Sequence, residues 1–362
     1  MFNFSRSGSA RLGALLVTAG AAALPLSLLA SCNGNRTQPT VTLYTSADGP
    51  VADMALEAFE RETGIKVLVV GDTEATKTTG LVQRLVSEKD APKADVWWSN
   101  EMLGTAQLAS MGLFMPFKPD AAADFTGRQW PSELCDPTGL WHGHALRYRV
   151  IAFNTTLVPA ASKPRSLQDL CDPRFKGRIG MARPQFGTTR TQIAALVALH
   201  GAPAVRTWLT ALRDNGLRLF DGNSSVVQAL AHGEIAVGLT DSDDALGAAA
   251  KNWPVAFGTE EQAAAGGASS NAQGLKPSGL IVIPNTVAII KNAPHMTEAR
   301  VLAQFLLSSR CEALLGATDA KTVSVRGSAS ASLGARADIQ AAQLLEALSE
   351  SDALVNELLP VH

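Results

Sequence analysis

Three carboxylates fall within four positions of the stretch GEIAVGLTDSDDALG (233–247): Asp241, Asp243 and Asp244. They follow a short apolar run, Ile235 to Leu239, in a chain of which 18% is charged. A run of that length reads as a buried strand, and open α/β sheets bind ligands in the crevice at the carboxyl ends of their strands. Carboxylates a few ångströms apart raise one another's pKa or recruit a cation. Hard oxygen donors suit Ca²⁺, Mg²⁺, Mn²⁺ or iron, and an amine or amidinium would also satisfy them. The plainer role is structural: Asp243 and Asp244 begin DDALGAAAK, a helix start where an N-cap and the macrodipole favour acids.

A second set of residues points to an anion. GTTRTQ (187–192) opens a strong helical pattern, and the free N–H groups of a helix start form an anion site. The hydroxyls of Thr188 and Thr189 and the Arg190 guanidinium could add donors; the plainer role for Thr188 is an N-cap. DTEATKTTG (72–80) is a polar loop entering a helix, where Thr76 and Lys77 are candidate phosphate contacts. It lacks the G-x-x-x-x-G-K-[ST] spacing of a P-loop, which excludes that form of nucleotide binding.

Other chemistries find less support. Asp241-Ser242-Asp243 after an apolar strand is the arrangement of aspartate-nucleophile phosphatases. There the first Asp attacks phosphorus and the second is a general acid beside Mg²⁺, although Ala245 stands where Thr or Val is usual. An EF-hand is excluded, because neither its glycine nor its terminal Glu is in place. No G-x-S-x-G occurs. The histidines (His142, His144, His200, His232, His295, His362) show no ligand spacing beyond His142-Gly143-His144, which reads as a surface loop.

The elements that must position these residues alternate. VTLYTS, IKVLVVG and ADVWWS read as strands, separated by helical GPVADMALEAFERETG and TKTTGLVQRLVSE, the latter capped by Thr78 or Thr79. NEMLGTAQLASMG is a third helix. HALRYRVIAFN reads as a long strand and RIGMA as a short one; TTRTQIAALVALHG and PAVRTWLTALRDNG are helices. LRLF, SSVVQALAHG and IAVGLT read as strand, helix, strand. GLIVIPNTVAII is a long strand pair, MTEARVLAQFLLSS a helix, and the Ala-rich tail from Ser324 to His362 mostly helical. AAAGGASSNAQG (263–274) is a loop by composition. Strands alternating with helices imply parallel sheets, hence an α/β fold. The apolar segments 147–154 and 279–290 are long enough to cross between two lobes and act as the hinge.

At 362 residues with 46% hydrophobic content and mean hydropathy +0.09, the chain suits two globular domains. A formal net charge of −2 without any basic block excludes nucleic acid as the partner. Arg6 and Arg11 precede an Ala- and Gly-rich apolar stretch that ends in Leu29-Ala30-Ser31-Cys32, followed by the polar NGNRTQPT. This is an export-signal pattern. Its end resembles the lipobox of bacterial lipoproteins, which implies that residues 1–32 are a signal and that Cys32 becomes the lipidated first residue. An uncleaved transmembrane anchor is the alternative. Residues 33–40 form the linker. In an oxidising compartment one disulfide is open to Cys135 and Cys171, each beside an Asp-Pro, whereas Cys311 lies in an apolar helical run and reads as a buried thiol.

Taken in order, VTLYTSADGPVADMALEAFERETGIKV, ADVWWSNE, RYRVIAFNT, FKGRIGMARPQFGTTRTQ and HGEIAVGLTDSDDA resemble the extracellular solute-binding proteins of ABC importers. The periplasmic ferric-ion-binding group is the branch most similar. The resemblance runs from about Val41 to the C-terminal helices. It implies two α/β lobes, each a mostly parallel sheet flanked by helices, joined by two crossing strands and closing on a ligand. Lobe 1 is then 41–148 plus 279–325, and lobe 2 is 149–278 plus 326–362. It further implies a monomer without catalysis or a required cofactor. That monomer is exported to the periplasm or cell surface, lipid-anchored to a membrane, and delivers its ligand to an ABC permease and its ATPase.

The resemblance also implies site residues. Where ferric binders carry a His after the first strand, this chain has Asp48, which otherwise reads as a turn residue before Gly49-Pro50. Their Glu after the third strand corresponds to Glu101, with Asn100 beside it. Their two adjacent tyrosines correspond to Asp243 and Asp244; the two tyrosines here, Tyr44 and Tyr148, lie elsewhere. Thr188, Thr189, Arg147 and Arg149 correspond to positions around the synergistic anion, the two arginines being open also to salt bridging between lobes. The implied metal set is Asp48, Glu101, Asp243 and Asp244. The wider ligand set adds Thr76, Lys77, Asn100, Arg147, Arg149, Thr188, Thr189 and Asp241. Iron with a bound anion is the expected cargo; a polyamine or a phosphorylated solute is the alternative, and a secreted Mg-dependent phosphatase using Asp241 and Asp243 the more distant one.

Overall fold

A computed structural model describes residues 38–47, 49–72, 78–120, 130–259, 275–318, 321–326 and 336–361. Asp48, Thr76, Lys77, Cys32 with the signal segment, the 263–274 loop and His362 lie outside the described residues.

The alternation read from the sequence holds in the first third. Parallel strands β1 (Thr40–Thr45), β2 (Lys66–Gly71) and β3 (Val96–Ser99) are separated by helices α1 (Gly49–Thr63) and α2 (Thr79–Ser87), and α3 (Leu103–Ser110) follows. Strand β3 is buried on both faces because its neighbours in sequence are tryptophans that point opposite ways. Trp97 joins one apolar cluster and Trp98 another, each fully buried. At about 150–250 Å² apiece, each such ring contributes on the order of 4–6 kcal/mol of apolar burial. Thr78 occupies the N-cap of α2 with φ 72°, yet its side chain does not cap; its hydroxyl lies 3.4 Å from Asn100 Oδ1.

After the short β4 (Phe114–Met115), strand β5 (Trp141–Asn154) runs 14 residues, all buried. Helices α4 (Gly187–His200), α5 (Ala202–Asp214), α6 (Asn223–Ala231) and α7 (Ser242–Ala250) then interleave with β6 (Ile179–Ala182), β7 (Arg218–Phe220), β8 (Val237–Asp241) and β9 (Val255–Gly258). Strand β10 (Val282–Ile290) and helices α8 (Met296–Leu306), α9 (Ser309–Ala317) and α10 (Ala341–Leu358) complete the chain. GLIVIPNTVAII is thus a single strand, and the helical part of the tail is α10. Among the described residues no helix is long and apolar enough to cross a membrane.

Strand order is β2-β1-β3-β10-β5-β8-β6-β7, with β4 on β10 and β9 on β5. Parallel pairing is confined to the two outer groups; β10 and β5 run antiparallel to their neighbours. Strand β5 serves both halves. Its first part, to Tyr148, pairs with β10, and from Arg149 it pairs with β8. At Ala145 the backbone turns to φ 45°, opposite a register shift between Ile283 and Asn285. Asn285 Nδ2 donates to the Ala145 carbonyl at 2.7 Å, and the Ala145 N–H donates to Glu312 at 3.2 Å.

Two expectations are corrected here. His142 and His144 lie on β5 rather than in a surface loop, at 6% and 0% exposure, because the strand begins at Trp141 and fills the sheet centre. Cys135 and Cys171 are free thiols: Cys135 is held in a bridge to His142, whereas Cys171 ends a 3-10 turn. Cys311 is buried, as expected.

Candidate functional site

Three strand-to-helix transitions converge. β6 leads through Arg183 and Phe186 into α4, β7 through Asp221 and Gly222 into α6, and β8 directly into α7. Gly187 starts α4 at φ +55°, a left-handed turn that favours glycine. Between these helix starts lies a cavity of about 310 Å³, lined by Thr188, Thr189, Asn223, Ser224, Asp241 and Asp244, with Arg147 and Arg183. Gly49, Pro50 and Asn100 close it from the β1–β3 side.

Asp241, the last residue of β8, is wholly buried. Its Oδ1 accepts from Arg149 Nη1 at 2.7 Å, and its Oδ2 accepts from Thr188 Oγ1 at 2.7 Å and Asn223 Nδ2 at 2.9 Å. Arg149 is equally committed, donating also to Gln192 Oε1 (2.9 Å), Thr188 Oγ1 (3.1 Å) and Asn223 Oδ1 (3.1 Å). The pairing follows from register, since Arg149 on β5 faces Asp241 on β8. Asp241 is therefore the floor of the site. With both oxygens engaged it offers no available nucleophile, which removes the support for a D-x-D phosphatase. Asp241 is also the N-cap residue of α7, but its side chain makes no capping bond.

Asp243 and Asp244 occupy the first turn of α7, where the macrodipole favours them. Asp243 is 6% exposed, and its Oδ2 lies 3.5 Å from Arg147 Nε. Its Oδ1 has no hydrogen-bond partner. Burial pushes its pKa up to about 6, with Asp241 raising it further and Arg147 opposing. Arg147 Nη1 also stands 3.8 Å from Asp241 Oδ2. One oxygen from each of Asp241, Asp243 and Asp244 can be chosen so that all three lie within 4.8 Å of one another. That is a spacing a hard cation can bridge.

The other anticipated residues divide. Asn100, Arg147, Thr188 and Thr189 line the cavity; Arg149 supports it from below. Thr188 is not an N-cap: Phe186 holds that position, and the Thr188 hydroxyl serves Asp241 instead. Glu101 is absent from the lining. Its oxygens accept the backbone N–H groups of Leu103 (2.5 Å) and Gly104 (2.9 Å) at the start of α3, and Thr191 Oγ1 donates to it at 2.9 Å. Burial raises its pKa against those bonds. A Cβ at Gly104 would come within 2.9 Å of the Glu101 carboxylate, so the glycine makes room for it.

Sequence reading missed Asn223, Ser224, Arg183 and Asp221 as lining residues. Arg183 and Asp221 form an ion pair at 3.2 Å on the rim. All four follow directly on β6 or β7, so the carboxyl-edge rule that picked out Asp241 could have found them. A second cavity of about 200 Å³ adjoins the first, sharing Ser224 and Asp244 and bounded by Asp243, Val51, Val227, Ala248 and Trp253.

The sequence pattern of the family "Bacterial extracellular solute-binding protein" matches residues 92–333. The major ferric iron-binding protein of Neisseria meningitidis serogroup B is 26% identical over 281 residues, 78% of this chain and 80% of that protein. Iron-bound HitA from Pseudomonas aeruginosa superimposes with a TM-score of 0.72 at 24% identity, covering 88% of this chain and 99% of that one. AfuA from Actinobacillus pleuropneumoniae with fructose-6-phosphate bound gives a TM-score of 0.72 at 20% identity, covering 89% and 98%. These likenesses, with β5 shared between two α/β halves, identify the two-lobed fold of periplasmic binding proteins. With two-thirds of its length matched, the chain belongs to the bacterial extracellular solute-binding proteins.

Proposed function

We propose that this chain is the solute-capturing component of an ABC importer and that its cargo is iron, bound between the lobes and passed to the membrane permease. One observation carries the ligand class: the Asp241–Asp243–Asp244 group, with a buried Asp243 oxygen that has no partner. A carboxylate desolvated enough to hold its proton up to about 6 gains most from a cation placed against it. The name of the Neisseria relative supports iron as that cation. Asp243 and Asp244 face the ion, and Asp241, neutralised by Arg149, forms the floor beneath them. The backbone N–H of Thr188 at the start of α4, with Thr189 and Arg147, holds an accompanying anion. Asp48, Thr76 and Lys77 stay as expected contacts from the other side, whereas Glu101 acts as the cap of α3.

In this reading the lobes are 41–148 plus 279–325 and 149–278 plus 326–362. Closure is favoured by ligand because the site draws on both. Cys32 carries the lipid that holds a monomer at the membrane surface, and no catalytic step is assigned.

A thermal-shift titration tests the cargo. Iron at 100 times its Kd stabilises by about 2.7 kcal/mol. The Asp243→Asn/Asp244→Asn double variant should lose that shift while still folding; a shift that survives refutes the assignment. A second reading, a phosphorylated organic solute, is favoured by the two arginines and the starts of α4 and α6 around the larger cavity. Stabilisation by a sugar phosphate without metal would select it.

A further inference from the structure

We propose that Ala145 is the pivot on which the two lobes turn, and that Asn285 and Glu312 are the residues that position it. One backbone bend then sets the balance between open and closed protein. The inference rests on the lobes closing, whatever the ligand they close on. Among the described residues five non-glycine residues have positive φ, and Ala145 is the only one of them inside a strand. In the left-handed region Cβ crowds the following carbonyl, and alanine, unlike asparagine, has no polar side chain to offset that. Such a conformation persists only where its surroundings over-determine it, and it clusters at switch regions.

Both polar groups of the Ala145 backbone are held by side chains from outside its strand: Asn285 Nδ2 donates to its carbonyl, and its N–H donates to Glu312 Oε1. Those side chains are buried and fixed in turn. Glu312 also accepts from the Val325 N–H at 3.1 Å, Ser324 Oγ at 2.5 Å and Arg326 Nη1 at 2.6 Å. The facing strand breaks at the same level. β10 pairs with β5 at Ile283–Arg147 and again at Asn285–His144, skipping Pro284, which has no N–H to give to a ladder. The Asn285 amide supplies a donor in its place. Leu146 leaves the ladder as well and exchanges hydrogen bonds of 2.7 and 2.8 Å with Val323. Both crossing strands are therefore interrupted at one level, just before β5 exchanges β10 for β8. A rotation there turns the β6–β8 half against the β1–β3 half. A flip of Ala145 out of the left-handed region relieves the bend and releases Asn285 and Glu312 together, which gives the hinge two discrete states.

The test attaches a fluorescent donor and acceptor to non-natural residues at the exposed Glu57 on α1 and Thr207 on α5, which avoids the native thiols. Single-molecule energy transfer then reads the interlobe distance of the full protein without ligand. Ala145→Gly removes the penalty of a positive φ and should raise the population at the distance of the present structure about tenfold relative to the other. Asn285→Ala removes a bond made only in that conformation and should lower the same ratio about tenfold; Glu312→Ala should act in the same direction. Residues that serve stability alone would change the melting temperature and leave the distances where they are. One distribution shared by wild type and all three variants overturns the proposal, as does a shift of Ala145→Gly and Asn285→Ala in the same direction. Because no ligand is added, failure of iron to bind in the thermal-shift titration sinks the cargo reading alone.

Discussion

His142 and His144 make the stability of this protein depend on pH, and the size of the effect follows from their position. Both sit on the central strand β5, His142 against Phe117 and Trp130 and His144 against Trp98. Neither His144 ring nitrogen has a hydrogen-bond partner. Desolvation brings each pKa from 6.5 down to about 4; Asp136 opposes this for His142, and for His144 Glu312 opposes it while Arg326 adds to it. The folded protein thus refuses protons that the unfolded chain accepts. Their contribution is intact above the unfolded value and is lost as pH falls from 6.5 toward 4. At pH 5 each histidine costs about 2 kcal/mol by this linkage, or about 3 °C in Tm for a chain of this size. Asp243 works in the opposite sense, because its raised pKa makes the folded state the better proton acceptor between about 6 and 3.8. Wild type is therefore to be compared with His142→Phe/His144→Leu, in which Asp243 is unchanged. Urea unfolding at pH 7.5 and pH 5 should show wild type losing about 4 kcal/mol more than the variant. Parallel losses in the two proteins would refute the argument that burial governs these rings.

Arg149→Met, which keeps much of the volume but removes the guanidinium, should cost about 3–5 kcal/mol in urea unfolding by stranding the buried Asp241 charge, and pairing it with Asp241→Asn should recover most of that loss. Glu101→Ala should destabilise by about 1–2 kcal/mol through the lost cap of α3 while leaving the affinity for iron within about twofold, measured by tryptophan-fluorescence titration with iron; a loss of hundredfold or more would make Glu101 a ligand instead.

The sequence by itself determined the alternation of strands and helices, the buried strand that ends at Asp241 and the helix start at Gly187, because apolar periodicity and turn residues act over a few positions. It also placed three acids at a strand end, which was enough to point to a cation. The order of the strands was not legible. β10 enters antiparallel between β3 and β5, a pairing of segments more than a hundred residues apart that no local pattern encodes. Only the tertiary structure decided which acid is already satisfied. Asp241 meets Arg149 because β5 runs past β8 in one register, Glu101 is drawn away by the N–H groups of α3, and Asp243 is left with a buried oxygen of its own. Charge in a sequence is a count, whereas the free energy of a charge depends on what surrounds it, and those surroundings are assembled from distant parts of the chain.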